Sequence, residues 1–275
     1  MNIKSKYIIA ALAGIVVVLL IIIAFLLGRG SVSQGNNSFL NNPSEVLSFS
    51  SEDEIVNFIG EPKNLDISMS AGTVTFVSGS QFNVEYDASV INVSSSGDTL
   101  KILNVHSRPS NSERKKMNVV ITVPDEYSFS SVDVELGAGK LTAYSLSAGS
   151  LSMELGAGSA EFDNISVSSS ANIKEGAGEL IINSGEISNL NLKCGAGETR
   201  ISAVLKGKSS VAAGFGEVNM SLIGAEEDYS VSFGVGLGAC FFNNSKLSAN
   251  GTYGNGENSV QIAGGMGVIH VNIVN

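Results

Sequence analysis

Residues 132–201 read VDVELGAGKLTAYSLSAGSLSMELGAGSAEFDNISVSSSANIKEGAGELIINSGEISNLNLKCGAGETRI, and the spacing of their glycines decides the fold. Gly-Ala-Gly stands at Gly137-Ala138-Gly139, Gly156-Ala157-Gly158, Gly176-Ala177-Gly178 and Gly195-Ala196-Gly197. Variant copies follow at Gly214-Phe215-Gly216, Gly234-Val235-Gly236 and Gly265-Met266-Gly267, and the steps before the last are 19, 20, 19, 19 and 20 residues. Three residues before each first glycine come Val134, Met153, Ile173, Leu192, Val211 and Val231. Four residues after it come Leu141, Ala160, Leu180, Thr199, Val218 and Gly238; six after it come Ala143, Phe162, Ile182, Ile201, Met220 and Cys240. Many positions between are polar, so each unit reads as strand, Gly-x-Gly bend, strand with two-residue alternation. So short a strand pair cannot bury its apolar face alone. Stacked copies, at about 4.8 Å per rung, bury a continuous stripe and pair their backbones. The bends require glycine for two expected reasons: positive φ, and close approach of neighbouring rungs.

The preceding region, 53–135, lacks the repeat but keeps the alternation, as in LDISM (65–69), GTVTFV (72–77), FNVEY (82–86), TLKILNV (99–105) and MNVVITV (117–123). These are expected to be antiparallel or mixed strands that start or cap the stack of 136–275. The last unit carries an inserted Asn/Gly loop, 243–258, and closes with VIHVNIV. That loop is expected at the distal end of the stack, more as mobile decoration than as a recognition element.

GTVTF, then TLKI, then VVITVPDEYSFSSVDVELGAGKL, then tandem GAG units together resemble the bacterial putative-adhesin family, domain of unknown function 4097. The resemblance spans about 55–275 and implies a stack of strands called a toast rack, with a cell-envelope role. It implies no catalytic residue. Some relatives are associated with envelope stress in Gram-positive bacteria. The long loop in the last unit departs from the pattern.

Composition agrees with an all-β, solenoid-like chain. Glycine numbers 31, Pro only 4, Trp is absent and charged residues make up 15%, against about 25% in ordinary domains. A net charge of −10 argues against nucleic acid. Cys194 and Cys240 are too few for a disulfide framework and form no CxxC or Cys/His cluster, so neither a structural metal nor another cofactor is expected.

Twenty-two uncharged residues, YIIAALAGIVVVLLIIIAFLLG, lie between Lys6 and Arg29. As a helix they span about 33 Å, enough for a hydrocarbon core of about 30 Å. A cleaved signal peptide is the other reading, with Ser31-Val32-Ser33 imitating a cleavage site, but its apolar core usually runs only about 7–15 residues. Lys4, Lys6 and the terminal amine outnumber Arg29, and no basic residue follows until Lys63. This bias places the N-terminus in the cytoplasm and the rest outside. The expected organisation is therefore tail and membrane helix at 1–29, flexible linker at 30–52 and extracytoplasmic domain at 53–275.

Candidate sites are few. Glu179, Glu198 and Glu217 share one offset in the repeat, so stacking makes a carboxylate column. It suits either Ca²⁺ or, preferably, a solvated acidic face balanced by Lys174 and Lys193. Glu135, Glu154, Lys174 and Lys193 form another column, in which Glu154 and Lys174 are expected to pair across rungs. Arg108, Arg114, Lys115 and Lys116 cluster in HSRPSNSERKK, which reads foremost as a solvated hairpin loop and secondly as a contact for phosphate-bearing wall polymers or lipid headgroups. His106 and His270 have no nucleophile–carboxylate motif around them, and the Gly-x-Gly elements lack the Lys-Ser and helix of a phosphate loop. The two cysteines are expected about 10 Å apart, beyond disulfide reach, as small buried apolar residues.

The expectation is a non-enzymatic surface module, anchored in the membrane, that binds or assembles with an envelope component. A sensor of envelope stress working with a membrane partner is the alternative. Glycan cleavage, known for some β-solenoids, ranks third.

Overall fold

Inside and outside alternate along the strands, as two-residue periodicity requires of a sheet with one apolar face. Across 64–76, Leu65, Ile67, Met69, Val74 and Phe76 are buried, and all residues between them except Ala71 reach solvent at least in part. The computed structural model describes residues 55–275 except 60, 107 and 235, with the backbone alone for 55–59. The expected membrane helix and linker, 1–52, lie outside the described residues. Among the described residues no helix is long and apolar enough to cross a membrane.

The strands in chain order are β1 (Ile55–Ile59), β2 (Asn64–Gly79), β3 (Asn83–Asp87), β4 (Ile91–Ser96), β5 (Thr99–Asn104), β6 (Asn118–Pro124), β7 (Phe129–Leu155), β8 (Ser159–Glu175), β9 (Glu179–Ile182) and β10 (Gly185–Ser188). There follow β11 (Leu190–Cys194), β12 (Glu198–Lys206), β13 (Lys208–Ala213), β14 (Glu217–Ile223), β15 (Tyr229–Gly234), β16 (Ala239–Phe242), β17 (Ser245–Lys246), β18 (Gly251–Tyr253), β19 (Asn258–Ala263) and β20 (Val268–Val274). One short helix, α1 (Asn111–Lys116), and a 3-10 turn, Glu226–Asp228, interrupt them.

One rung is a strand, a corner and a second strand, and successive rungs pair in parallel. Leu141 stands beside Ala160, then Leu180, Thr199, Val218 and Ile269. Each of these is at most 1% exposed, so the column predicted from the repeat is the core of a real stack. Inner faces of both strands feed one continuous cluster. The fold is all-β and solenoid-like.

The corners line up along one edge, but only one of the two expected reasons for glycine applies. A Cβ on Gly158 falls 2.2 Å from the Gly139 carbonyl oxygen, one on Gly178 1.9 Å from that of Gly158, and one on Gly197 2.1 Å from that of Gly178. None of these has a positive φ. Close approach of backbone to backbone alone excludes a side chain.

The sixth copy is corrected by two residues. Its corner is Gly236-Leu237-Gly238, not Gly234-Val235-Gly236: a Cβ on Gly236 lies 2.3 Å from the Gly265 carbonyl oxygen, and one on Gly238 lies 1.8 Å from that of Gly267. The turn Glu226–Asp228 lengthens the return, so Phe233, not Val231, stands with Ile262 and Val211. Likewise Cys240 stands with Ile269 and Val218, one column away from the predicted one.

Neither end follows chain order. β19 lies between β13 and β15, and β20 between β14 and β16, so the last strands of the chain are not the last in space. The outermost rung is 229–242, covered antiparallel by β18 and β17. At the other end β2 lies between β7 and the β5–β6 rung, with β4 antiparallel to β5, β3 to β6 and β1 to β3. Antiparallel covers end the parallel ladders. The segment 243–258 is accordingly no mobile decoration: Leu247 is buried, and the Tyr253 ring lies 5.9 Å from Phe233 and 5.0 Å from Phe242.

Gly178→Ala should destabilise the chain by about 3 kcal/mol, because a methyl must push one rung off the next. Ala157→Ser, at the exposed middle of a corner, should change stability by under about 0.5 kcal/mol. Urea unfolding of the two variants reads the difference.

Candidate functional site

The basic residues sit on a corner, not in a hairpin loop. β5 and β6 both run parallel to β2, so 105–117 takes the place of a Gly-x-Gly bend. Its last turns form α1, held by a capping box: Ser110 Oγ accepts from the Glu113 amide at 3.3 Å, and Glu113 Oε2 accepts from the Ser110 amide at 2.6 Å. The Ser110 hydrogen bonds hold the Glu113 carboxyl below its ordinary pKa, aided by His106, whose Nδ1 lies 2.8 Å from Glu113 Oε1. Two of the four cations are committed locally. The Lys116 ammonium lies 3.6 Å from the buried Asp87, and Arg114 Nε donates to the Pro109 carbonyl at 3.3 Å. Arg108 and Lys115 remain exposed and free to contact an anion.

Glu179, Glu198 and Glu217 do pair in register as a column. Its neutralising charge is Arg200, outside the residues singled out in the sequence, and not Lys174 or Lys193. Arg200 Nη1 lies 3.2 Å from Glu179 and Nη2 2.7 Å from Glu198, while Asn219 Nδ2 donates to Glu217 at 3.0 Å. Arg200 was legible as the residue two past Glu198, which alternation puts on the same face. Lys174 and Lys193 belong to the strands before the corner, where Lys174 meets Glu154 at 3.1 Å, the expected cross-rung pair. Among the described residues no three His, Cys, Asp or Glu side chains converge as a metal site.

A polar cluster lies inside the stack. Just before successive corners the chain places Leu136, Leu155, Glu175, Cys194 and Ala213, so a carboxyl takes a position that leucine fills on two earlier rungs. Glu175 is 4% exposed, and Thr199 Oγ1 donates to its Oε2 at 2.7 Å, while Oε1 has no hydrogen-bond partner. Thr199 Oγ1 also lies 3.2 Å from Cys194 Sγ. With one hydroxyl proton given to the carboxyl, the second contact uses the thiol proton. Burial raises the Glu175 pKa and outweighs the Thr199 hydroxyl; it also pushes the Cys194 thiol up to about 11. Such a thiol stays protonated at neutral pH and is a poor nucleophile. Cys240 is likewise buried and free. The inserted β19–β20 rung puts the two cysteines three rungs apart instead of the expected two. His270 stacks on Phe241 at 4.5 Å, toward the opposite end from His106.

Because its folded-state pKa is raised, Glu175 contributes least cost when protonated, below the ordinary 4.5, and destabilises as pH rises through the raised value. Glu175→Gln should therefore gain stability relative to the parent chain as pH climbs from about 4 to 8, and gain little at pH 4. Urea midpoints across that range check it.

A family model described as the toast-rack domain DUF4097 matches residues 62–236, ending before the β19–β20 rung. No curated protein matches the chain. Among solved structures, a putative cell adhesion protein from Clostridium sporogenes is 14% identical, with TM-score 0.38, covering 81% of this chain and 100% of its own. A putative adhesin from Bacteroides fragilis is 13% identical, with TM-score 0.42, covering 81% of this chain and 98% of its own. With well over half of its residues matched by that family model, and Gly-x-Gly corners stacked rung on rung, the chain belongs to the toast-rack DUF4097 family.

Proposed function

We propose that this chain is a membrane-anchored protein of the cell envelope whose toast-rack domain works by binding, not by catalysis. Anchoring rests on the 22 uncharged residues between Lys6 and Arg29, and an extracytoplasmic domain on the basic bias before them. The observation that carries the binding reading is the fate of the reactive groups. Cys194 and Cys240 are buried thiols with raised pKa, Glu175 is enclosed, and the outward Glu179 and Glu198 are committed to Arg200. What a rigid stack offers instead is fixed exposed groups. Arg108 and Lys115, on a capped corner of an acidic protein, fit the phosphates of a wall polymer or lipid headgroup.

Arg108→Glu combined with Lys115→Glu in the full chain should weaken binding to phosphate-bearing wall material or anionic vesicles by about ten-fold or more, at roughly 1 kcal/mol per charge. Co-sedimentation measures it, with wall and vesicle arms telling the two phosphate sources apart. Undiminished binding would sink the assignment to this corner. Stoichiometric capture of another membrane protein, with both arms inert, would favour the envelope-stress sensor.

A further inference from the structure

The middle residues of the corners form a line along one edge, and the order of the rungs changes its character. Ala138, Ala157, Ala177 and Ala196 occupy the earlier rungs, followed by Phe215, then Met266, then Leu237. The last three are 55%, 51% and 88% exposed. Chain order separates them; the insertion of β19 and β20 beneath β15 and β16 puts them on adjacent rungs, about 4.8 Å apart.

Charge stops at the same place. Before the corner, the outward column runs Glu154, Lys174, Lys193 and then Ala212, Ala263, Gly234. After the corner it runs Glu179, Glu198, Glu217 and then Val268, Ala239. Small residues leave a shallow trough of about 340 Å³ beside the ridge, floored by Ala212, Ala263 and Gly234 and edged by Ser210, Ser232 and Gln261. Three large apolar side chains held in water beside an uncharged trough mark an interaction surface.

We propose that this surface pairs with a second copy of the same chain, the ridge of each copy seated in the trough of the other. Ridge and trough run over the same three rungs and share one pitch, so a two-fold axis brings them together in both directions, as an isologous contact requires. Charge favours this partner too. Copies carrying −10 repel wherever their charged columns meet, and here the columns have ended. The surface lies at the opposite end of the stack from the basic corner, so the pairing does not depend on phosphate binding there.

The test uses the full chain in neutral detergent. Sedimentation should show a concentration-dependent dimer between about 1 and 100 µM, weakened at least about ten-fold by Leu237→Glu or Met266→Glu at unchanged melting temperature. That loss corresponds to about 1.4 kcal/mol. A two-fold along the stack, the one that seats ridge in trough, sets middle rung on middle rung, so Met266→Cys chains mixed with Ala263→Cys chains should form mixed disulfides faster than with Glu154→Cys chains. A wild type that stays single throughout, a dimer indifferent to both glutamates, or cross-linking without preference for Ala263→Cys each overturns the proposal. Single chains that bind neutral lipid vesicles through Leu237 would replace the second copy with a lipid surface.

Discussion

Backbone contact at the corners sets the terms for everything else. Each carbonyl oxygen of a corner glycine occupies the space where a Cβ on the next rung would stand, as Gly139, Gly158, Gly178 and Gly197 show in succession. Rungs can therefore sit at sheet spacing through the bend and not only along the strands, and the hydrogen bonds continue around the edge: the Ala177 amide donates to Gly156, and that of Ala196 to Gly176. With the corner fixed, the register of both flanking strands is fixed. With the register fixed, every second residue falls into a column that is inside or outside for the whole stack.

Columns make chemistry cumulative. A single apolar residue becomes a core stripe, a single glutamate a ladder of acids, and a single alanine a smooth edge. They also make exceptions visible. Glu175 and Thr199 break two apolar columns on adjoining rungs and answer each other with a hydrogen bond. Arg200 stands between Ile181 and Asn219 in one outward column and pairs with two of the acids in the column beside it.

The repeat made most of this legible, because a period near nineteen residues carries register as well as fold class. Legibility failed where the period was disturbed or where partners were far apart. The turn Glu226–Asp228 adds length that counting from Gly214 cannot see, so the sixth corner slips by two. Nothing local in VIHVNIV says that it pairs with both β14 and β16; only the tertiary ladder decides that. Lys116 looked like one of four surface cations until Asp87, twenty-nine positions away, was seen to lie beneath it. Of the two reasons for glycine, crowding between rungs follows from the repeat itself and holds, whereas the φ of each corner is set by the fold and residue type alone does not give it.

The intercalated position of the C-terminal strands bears on how the molecule is made. A chain delivered from its N-terminus can add inner rungs one by one, each finding its ladder already present, up to β14. At that point β15 and β16 emerge before their own template, since the strands that join them to the stack follow them in the chain. Until residue 274 arrives, the growing end has unpaired amides and carbonyls on its free side and no cover. Completion is thus a single late event that closes the rod and, with the same movement, sets Met266 between Phe215 and Leu237. Loss of the final eighteen residues would not shorten the rod by one unit; it would leave an internal gap that the outermost strands have no register to fill.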